Sequence, residues 1–148
     1  ESTGNFYIVS GDENFPWGVM ATKGQPSNPR GGYHFLNFSD PDNPKEEAIY
    51  EVPEAGSHNL WVFGDILIAG NYQGGLRVVD ISGELLGDIY KQGREIGHYL
   101  PYHKKGKIPN APMVWGAQPY KDYIFFADMN SGLYCIKLED IKKDLGTP

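Results

Sequence analysis

Four histidines, one cysteine and a scatter of Asp, Asn and Glu are the groups in this chain able to do chemistry. His58-Asn59 follows Gly56-Ser57 and opens the apolar run Leu60-Trp61-Val62-Phe63. An imidazole at the mouth of a strand can ligate a metal or touch a ligand; with Asn59 beside it, it can equally hydrogen-bond loop backbone. His98 and His103 have a spacing that would suit a metal, but Lys104, Lys105 and Lys107 follow at once, and positive charge opposes a cation. That stretch is the basic patch of an otherwise acidic chain. With Tyr99, Tyr102, His103, Lys104 and Lys105 it suits either contact with an anionic partner or a solvated loop. Asp128-Met129-Asn130-Ser131-Gly132 has the oxygen donors of a calcium-loop fragment without the remaining acidic ligands, and reads equally well as a turn.

The metal candidates are therefore His58, Asp128 and Asn130, for calcium or a transition metal, and no cofactor is predicted. Cys135, between Tyr134 and Ile136, reads as an inert buried thiol, and as the sole cysteine it excludes an internal disulfide and a cysteine zinc finger. Glu46, Glu47, Glu51 and Glu54 read as a solvated outer strand, and Asn37-Phe38-Ser39 is a short sequon of little weight. There is no phosphate-binding Gly-rich loop, dinucleotide fingerprint or Gly-x-Ser-x-Gly elbow, so catalysis has no sequence support.

The elements that must hold these residues are strands. Nineteen Gly and eleven Pro in 148 residues leave little room for ordinary helices, while 40% hydrophobic and 14% aromatic content is enough for one packed domain. A net charge of −6 disfavours nucleic acid and anionic lipid, and no apolar run approaches the ~20 residues of a membrane span. The chain opens Glu1-Ser2-Thr3-Gly4 with no signal peptide, which reads as a cut or processed end.

A glycine pair or Ser-Gly followed by an apolar run occurs at Gly31-Gly32, Gly74-Gly75 and Ser131-Gly132. The intervals between the second glycines are 43 and 57, and the surplus falls in the Gly/Pro/Lys-rich stretch 91–112, so the underlying period matches the ~40–50 residues of a propeller blade. Strands are expected at Asn5–Ser10, Trp17–Thr22, Gly32–Phe38 and Ala48–Val52 in the first unit. The second unit ends in a fourth strand, Leu85–Tyr90, and the third has only three. The resulting division is a blade over 1–55, a blade over 56–92, a loop insertion over 93–112, an incomplete terminal blade over 113–139 and a tail or short helix over 140–148. Trp17, Trp61, Trp115, Phe35, Phe63, Phe125 and Phe126 are expected to wedge between the sheets, with Trp115 the best candidate for a recognition surface.

Gly70-Asn71-Tyr72-Gln73-Gly74-Gly75-Leu76-Arg77-Val78-Val79-Asp80-Ile81-Ser82, with Gly56-Ser57-His58-Asn59-Leu60 before it and Trp115-Gly116-Ala117 and Ala127-Asp128-Met129-Asn130-Ser131-Gly132-Leu133-Tyr134 after it, resembles the LVIVD-repeat β-propeller proteins. The first unit carries Asn37 and the third Lys137 where the repeat has the Asp seen at Asp80. The resemblance implies an extracytoplasmic (periplasmic, secreted or cell-surface) propeller and no particular reaction.

The fold class expected is all-β: a partial β-propeller of about three four-stranded antiparallel blades, the last lacking its outer strand. Closed rings need ~4–8 blades, so the other blades come from a missing N-terminal part or from another chain. The function expected is a non-catalytic scaffold for a protein or cell-surface partner, contacted through His58, Asn59, Tyr72 and Trp115 and through the insertion from Gly93 to Ala111. The alternative is a fragment of a propeller metalloenzyme sharing its ligands with the missing blades.

Overall fold

The computed structural model describes residues 4–13 and 31–139, and all its regular elements are strands. In chain order they are β1 (Tyr7–Gly11), β2 (Gly32–Asn37), β3 (Lys45–Glu51), β4 (Leu60–Phe63), β5 (Ile66–Gly70), β6 (Leu76–Asp80), β7 (Gly87–Asp88), β8 (Glu95–Tyr99), β9 (Val114–Tyr120), β10 (Tyr123–Asp128) and β11 (Gly132–Lys137). Alternation drives them: along β11 the exposed Leu133, Cys135 and Lys137 interleave with the half-buried Tyr134 and Ile136.

Three sheets result, with orders β1-β2-β3-β7, β4-β5-β6-β8 and β11-β10-β9, and none closes into a barrel. All pairings are antiparallel except the two-residue contact of β7 with β3. The expected all-β class is therefore observed. No helix among the described residues is long and apolar enough to cross a membrane.

Packing is face to face. Tyr33, Phe35, Ala48 and Tyr50 of the first sheet bury against Leu67, Ala69 and Val79 of the second. From its opposite face the second sheet presents Ile68, Leu76 and Val78 to Val114, Ala117, Ile124 and Phe126 of the third. The central sheet is thus covered on both sides, so β5 and β6 read as nearly continuous apolar runs where one-sided sheets would alternate.

Several strand assignments change. β1 pairs directly with β2, so no strand lies between them in the sheet; the expected strand Trp17–Thr22 and the tail 140–148 fall outside the described residues. Leu85–Tyr90 is not the fourth strand of the second sheet. Gly87 and Asp88 instead run parallel to β3 on the first sheet, held by Ile89, whose N–H donates to the Ile49 carbonyl at 2.9 Å and whose side chain is fully buried. The fourth strand of the second sheet is β8, inside the stretch expected to be a loop insertion.

The aromatic core also differs. Phe35 and Phe126 are buried and Phe125 partly so, but Trp61, Trp115 and Phe63 stand 44%, 44% and 64% exposed, and Trp17 lies outside the described residues. Tyr33, Tyr50 and Tyr72 are the largest fully buried side chains instead. Each has an internal partner for its hydroxyl, which is the condition for burying a phenol. Cys135, expected to be buried, is exposed on edge strand β11.

Candidate functional site

The second and third sheets meet where β4 begins, the β5–β6 turn closes and β9 begins. His58 N–H donates to the Gly70 carbonyl at 2.9 Å, Asn59 N–H to the Trp115 carbonyl at 3.3 Å, and Tyr72 and Val114 exchange two backbone hydrogen bonds of 2.9 Å each. Gly70 is required here, because a Cβ on it would lie 2.8 Å from the Trp115 carbonyl oxygen. Tyr72 has φ of 46°, a left-handed backbone unfavourable for a tyrosine, held in place by that double bond to Val114.

These contacts gather His58, Asn59, Tyr72 and Trp115. The imidazole lies edge-on to both rings, 5.3 Å from Tyr72 and 5.2 Å from Trp115 by centroid. Trp115 Nε1–H donates to His58 Nε2. The indole nitrogen can only donate, so Nε2 is the acceptor in this bond, while Nδ1 is buried without a hydrogen-bond partner among the described residues.

Glu13, 45 residues before His58, completes the cluster; sequence inspection passed it over because nothing local marks it. Its carboxylate accepts the Tyr72 hydroxyl at 2.7 Å and lies 3.6 Å from His58 Nε2. Burial, and then the neighbouring carboxylate, push the Tyr72 phenol well above its ordinary range, so it stays a donor.

The neighbouring hydroxyl, Ser57, is fully buried and donates to the Asp12 carbonyl, which leaves it pointed away from any base. The arrangement leaves the Trp115 indole 44% and the Glu13 carboxylate 60% exposed above hydrogen-bonded backbone. A groove of about 450 Å³ begins at Asn59 and Gly116 and runs past Trp61 and Phe125 to Leu133.

The other singled-out residues go elsewhere. Tyr99 lies on β8 and packs against Phe126 and Tyr134 at 5.8 and 6.1 Å, separated in role from the exposed Tyr102. His98 turns to Glu95 at 2.9 Å, whereas the His103 Nδ1 accepts the Lys105 N–H at 3.2 Å inside its own loop; Lys104 and Lys105 are exposed.

Asp128 is 3% exposed, and its carboxylate is taken up locally. Oδ1 accepts the Asn130 N–H, the Ser131 N–H and the Ser131 hydroxyl, and Oδ2 accepts the Met113 N–H at 2.5 Å. Asn130 bonds with both ends of its amide to the 108–111 loop. These contacts fit the turn reading. Among the described residues, no three His, Cys, Asp or Glu side chains converge as a metal site would require. Glu47, expected to be solvated, accepts the Tyr7 hydroxyl and the Asn37 side-chain amide, which hold its carboxyl below the usual range.

No protein-family model, curated protein or solved structure matches the chain.

Proposed function

We propose that the chain is a sector of a larger extracytoplasmic β-propeller of the LVIVD-repeat type, serving as a non-catalytic scaffold that binds a protein or cell-surface partner. One observation supports the architecture above the rest: the three hairpins share a register. Asn37, Asp80 and Lys137, the positions aligned by the glycine pairs, lie opposite Tyr7, Ile66 and Tyr123, the first residues of the preceding strands.

Aligned in this way, Leu67 and Val79, which face the first sheet, correspond to Ile124 and Ile136, which face the second. One packing step therefore relates the first sheet to the second and the second to the third, as successive sectors of a ring require. The same alignment makes β1 the second strand of its unit, since β5 and β10 are its counterparts.

The binding surface in this reading is the cluster of His58, Asn59, Tyr72, Trp115 and Glu13. The Tyr72 hydroxyl and the Trp115 indole N–H are both engaged within it, an arrangement that presents an aromatic and acidic face.

The intact mass of the native polypeptide tests the architecture: it should be at least about twice the 16.5 kDa of these residues, given ~40–45 residues per blade. Elemental analysis of that protein tests the function. A stoichiometric metal that is lost in His58→Ala would overturn the scaffold reading, whereas partner binding lost in Trp115→Ala from a metal-free protein supports it.

A further inference from the structure

The strand that pairs with the outer side of each repeated hairpin, β3 on β2 and β8 on β6, follows one pattern. On β2, Tyr33 faces Tyr50, Phe35 faces Ala48 and Leu36 faces Glu46, with a register shift between Phe35 and Leu36. On β6, Leu76 faces Tyr99, Val78 faces Gly97 and Val79 faces Glu95, with the shift at the matching place, between Val78 and Val79. β3 and β8 thus share a pentad, Glu, any residue, a small residue, any residue, Tyr: Glu46 to Tyr50 and Glu95 to Tyr99. The extra residue of the bulge is the second, Glu47 or Ile96.

Each fixed position has a physical reason. The glutamate reaches a basic side chain two residues back on the facing strand, His34 at 3.2 Å for Glu46 and Arg77 at 3.0 Å for Glu95. The small residue, Ala48 or Gly97, is buried opposite Phe35 or Val78. The tyrosine carbonyl comes up against the hairpin glycine: a Cβ on Gly75 would collide with the Tyr99 oxygen, and one on Gly32 would lie 3.5 Å from the Tyr50 oxygen.

On β11 the same place is open. Its outer edge is unpaired among the described residues, nothing lies within 4 Å of where a Cβ on Gly132 would sit, and Leu133 is 76% exposed where its counterparts Tyr33 and Leu76 are fully buried. The pentad occurs only twice in the 148 residues, and both copies are already engaged on β2 and β6.

We infer that the outer edge of β11 receives an antiparallel strand from a segment of the same protein outside these 148 residues, and that this strand carries the pentad. Its tyrosine lies opposite Leu133, its small residue opposite Cys135 and its glutamate opposite Ile136, with the bulge between the last two. The inference rests on the repeat reading above and adds the chemistry of the missing strand. β11 differs at one position: Tyr134 stands where His34 and Arg77 supply charge, and its hydroxyl is paired with Ser131 at 2.8 Å, so the glutamate there meets a phenol.

Cys135, the chain's only cysteine, lies at the centre of this register and reports on it. The probe is a synthetic peptide of residues 45–53 of this chain, made in three versions, Glu47→Cys, Ala48→Cys and Ile49→Cys, and equilibrated with the 148-residue protein in a glutathione buffer. Only the residue directly opposite Cys135 combines the Cα separation with the Cβ direction a disulfide accepts, so Ala48→Cys should couple to Cys135 at least ~10-fold more than either neighbour. Equal coupling at the three positions, or a maximum elsewhere, overturns the inference.

The cysteine-free peptide should also slow alkylation of Cys135, and exchanging its Glu46 and Tyr50 should remove the effect; no slowing at up to ~1 mM peptide counts against the inference as well. The two readings fail separately. A native polypeptide without further repeat units removes the propeller, while a long native polypeptide with a flat coupling profile removes only this strand.

Discussion

At the scale of single residues, the interior is distinguished by tyrosines. Tyr33 and Tyr50 are fully buried; the first donates to the Gly70 carbonyl at 2.7 Å and the second to Glu95 at 2.5 Å, which in turn pairs with Arg77. Burial raises both phenols above their ordinary range, and for Tyr50 the adjacent carboxylate adds to it. An acid whose folded pKa lies above its unfolded value of about 10 stabilises the fold fully below that value and loses the contribution as pH rises. Each such phenol should make the unfolding free energy fall by about 1.4 kcal/mol per pH unit above pH ~10. Urea midpoints measured from pH 9 to beyond 11 should fall accordingly, and Tyr50→Phe should remove one phenol's share of the slope. An unchanged midpoint would mean the phenols ionise in place. Composition made the tyrosines visible and their burial invisible, because a phenol enters a core only where a distant partner accepts its proton. The cluster around His58 was legible for the same reason in reverse: His58, Asn59, Tyr72 and Trp115 each flank a strand or turn, whereas Glu13 is joined to them only by the fold.

The hairpins were the most legible elements, since a glycine turn between two apolar runs fixes both strands and their pairing. β5 with β6 and β10 with β11 form where the turns and apolar runs put them. What lies between β6 and β8 was misassigned for a physical reason. Residues 85–90 are apolar enough for a strand, but only Leu85 and Ile89 are buried, and Leu86 is 61% exposed; the segment crosses to the neighbouring sheet and anchors there at two residues. The basic loop drew attention from Glu95–Tyr99, whose strand character depends on the partner β6. The crossing gives a direct test. Ile89→Ala should cost ~2–4 kcal/mol through a cavity in the core shared by the first two sheets, while Leu86→Ala should stay within ~0.5 kcal/mol. Equal effects in urea titrations would show that the segment is not pinned at Ile89.

For the molecule as a whole, the stack has unequal faces. The outer face of the first sheet carries the His34–Glu46 pair and Glu51 beside Ile8 and Leu36, a mixed surface that water tolerates. The outer face of the third sheet carries Phe125, Leu133, Tyr120 and Tyr123, at the positions where the second sheet uses Ile68, Leu76 and neighbouring residues to bury the next sheet. Lys137 is set over the Tyr123 ring at 5.5 Å and Lys121 over the Tyr120 ring at 5.3 Å. An apolar face next to a strand edge that is unpaired among the described residues is the combination that draws chains together, and a net charge of −6 opposes this only at long range, where salt screens it. The 148-residue chain should therefore self-associate reversibly as its concentration rises through roughly 0.01–1 mM, more strongly as salt is added. Leu133→Lys, which puts a charge at the most exposed apolar residue without touching the core, should keep it monomeric. Sedimentation of the two proteins side by side decides the point. A wild-type chain that remains monomeric at every concentration and salt would mean that this face needs no cover, and the case for a continuing stack of sheets would lose its physical basis.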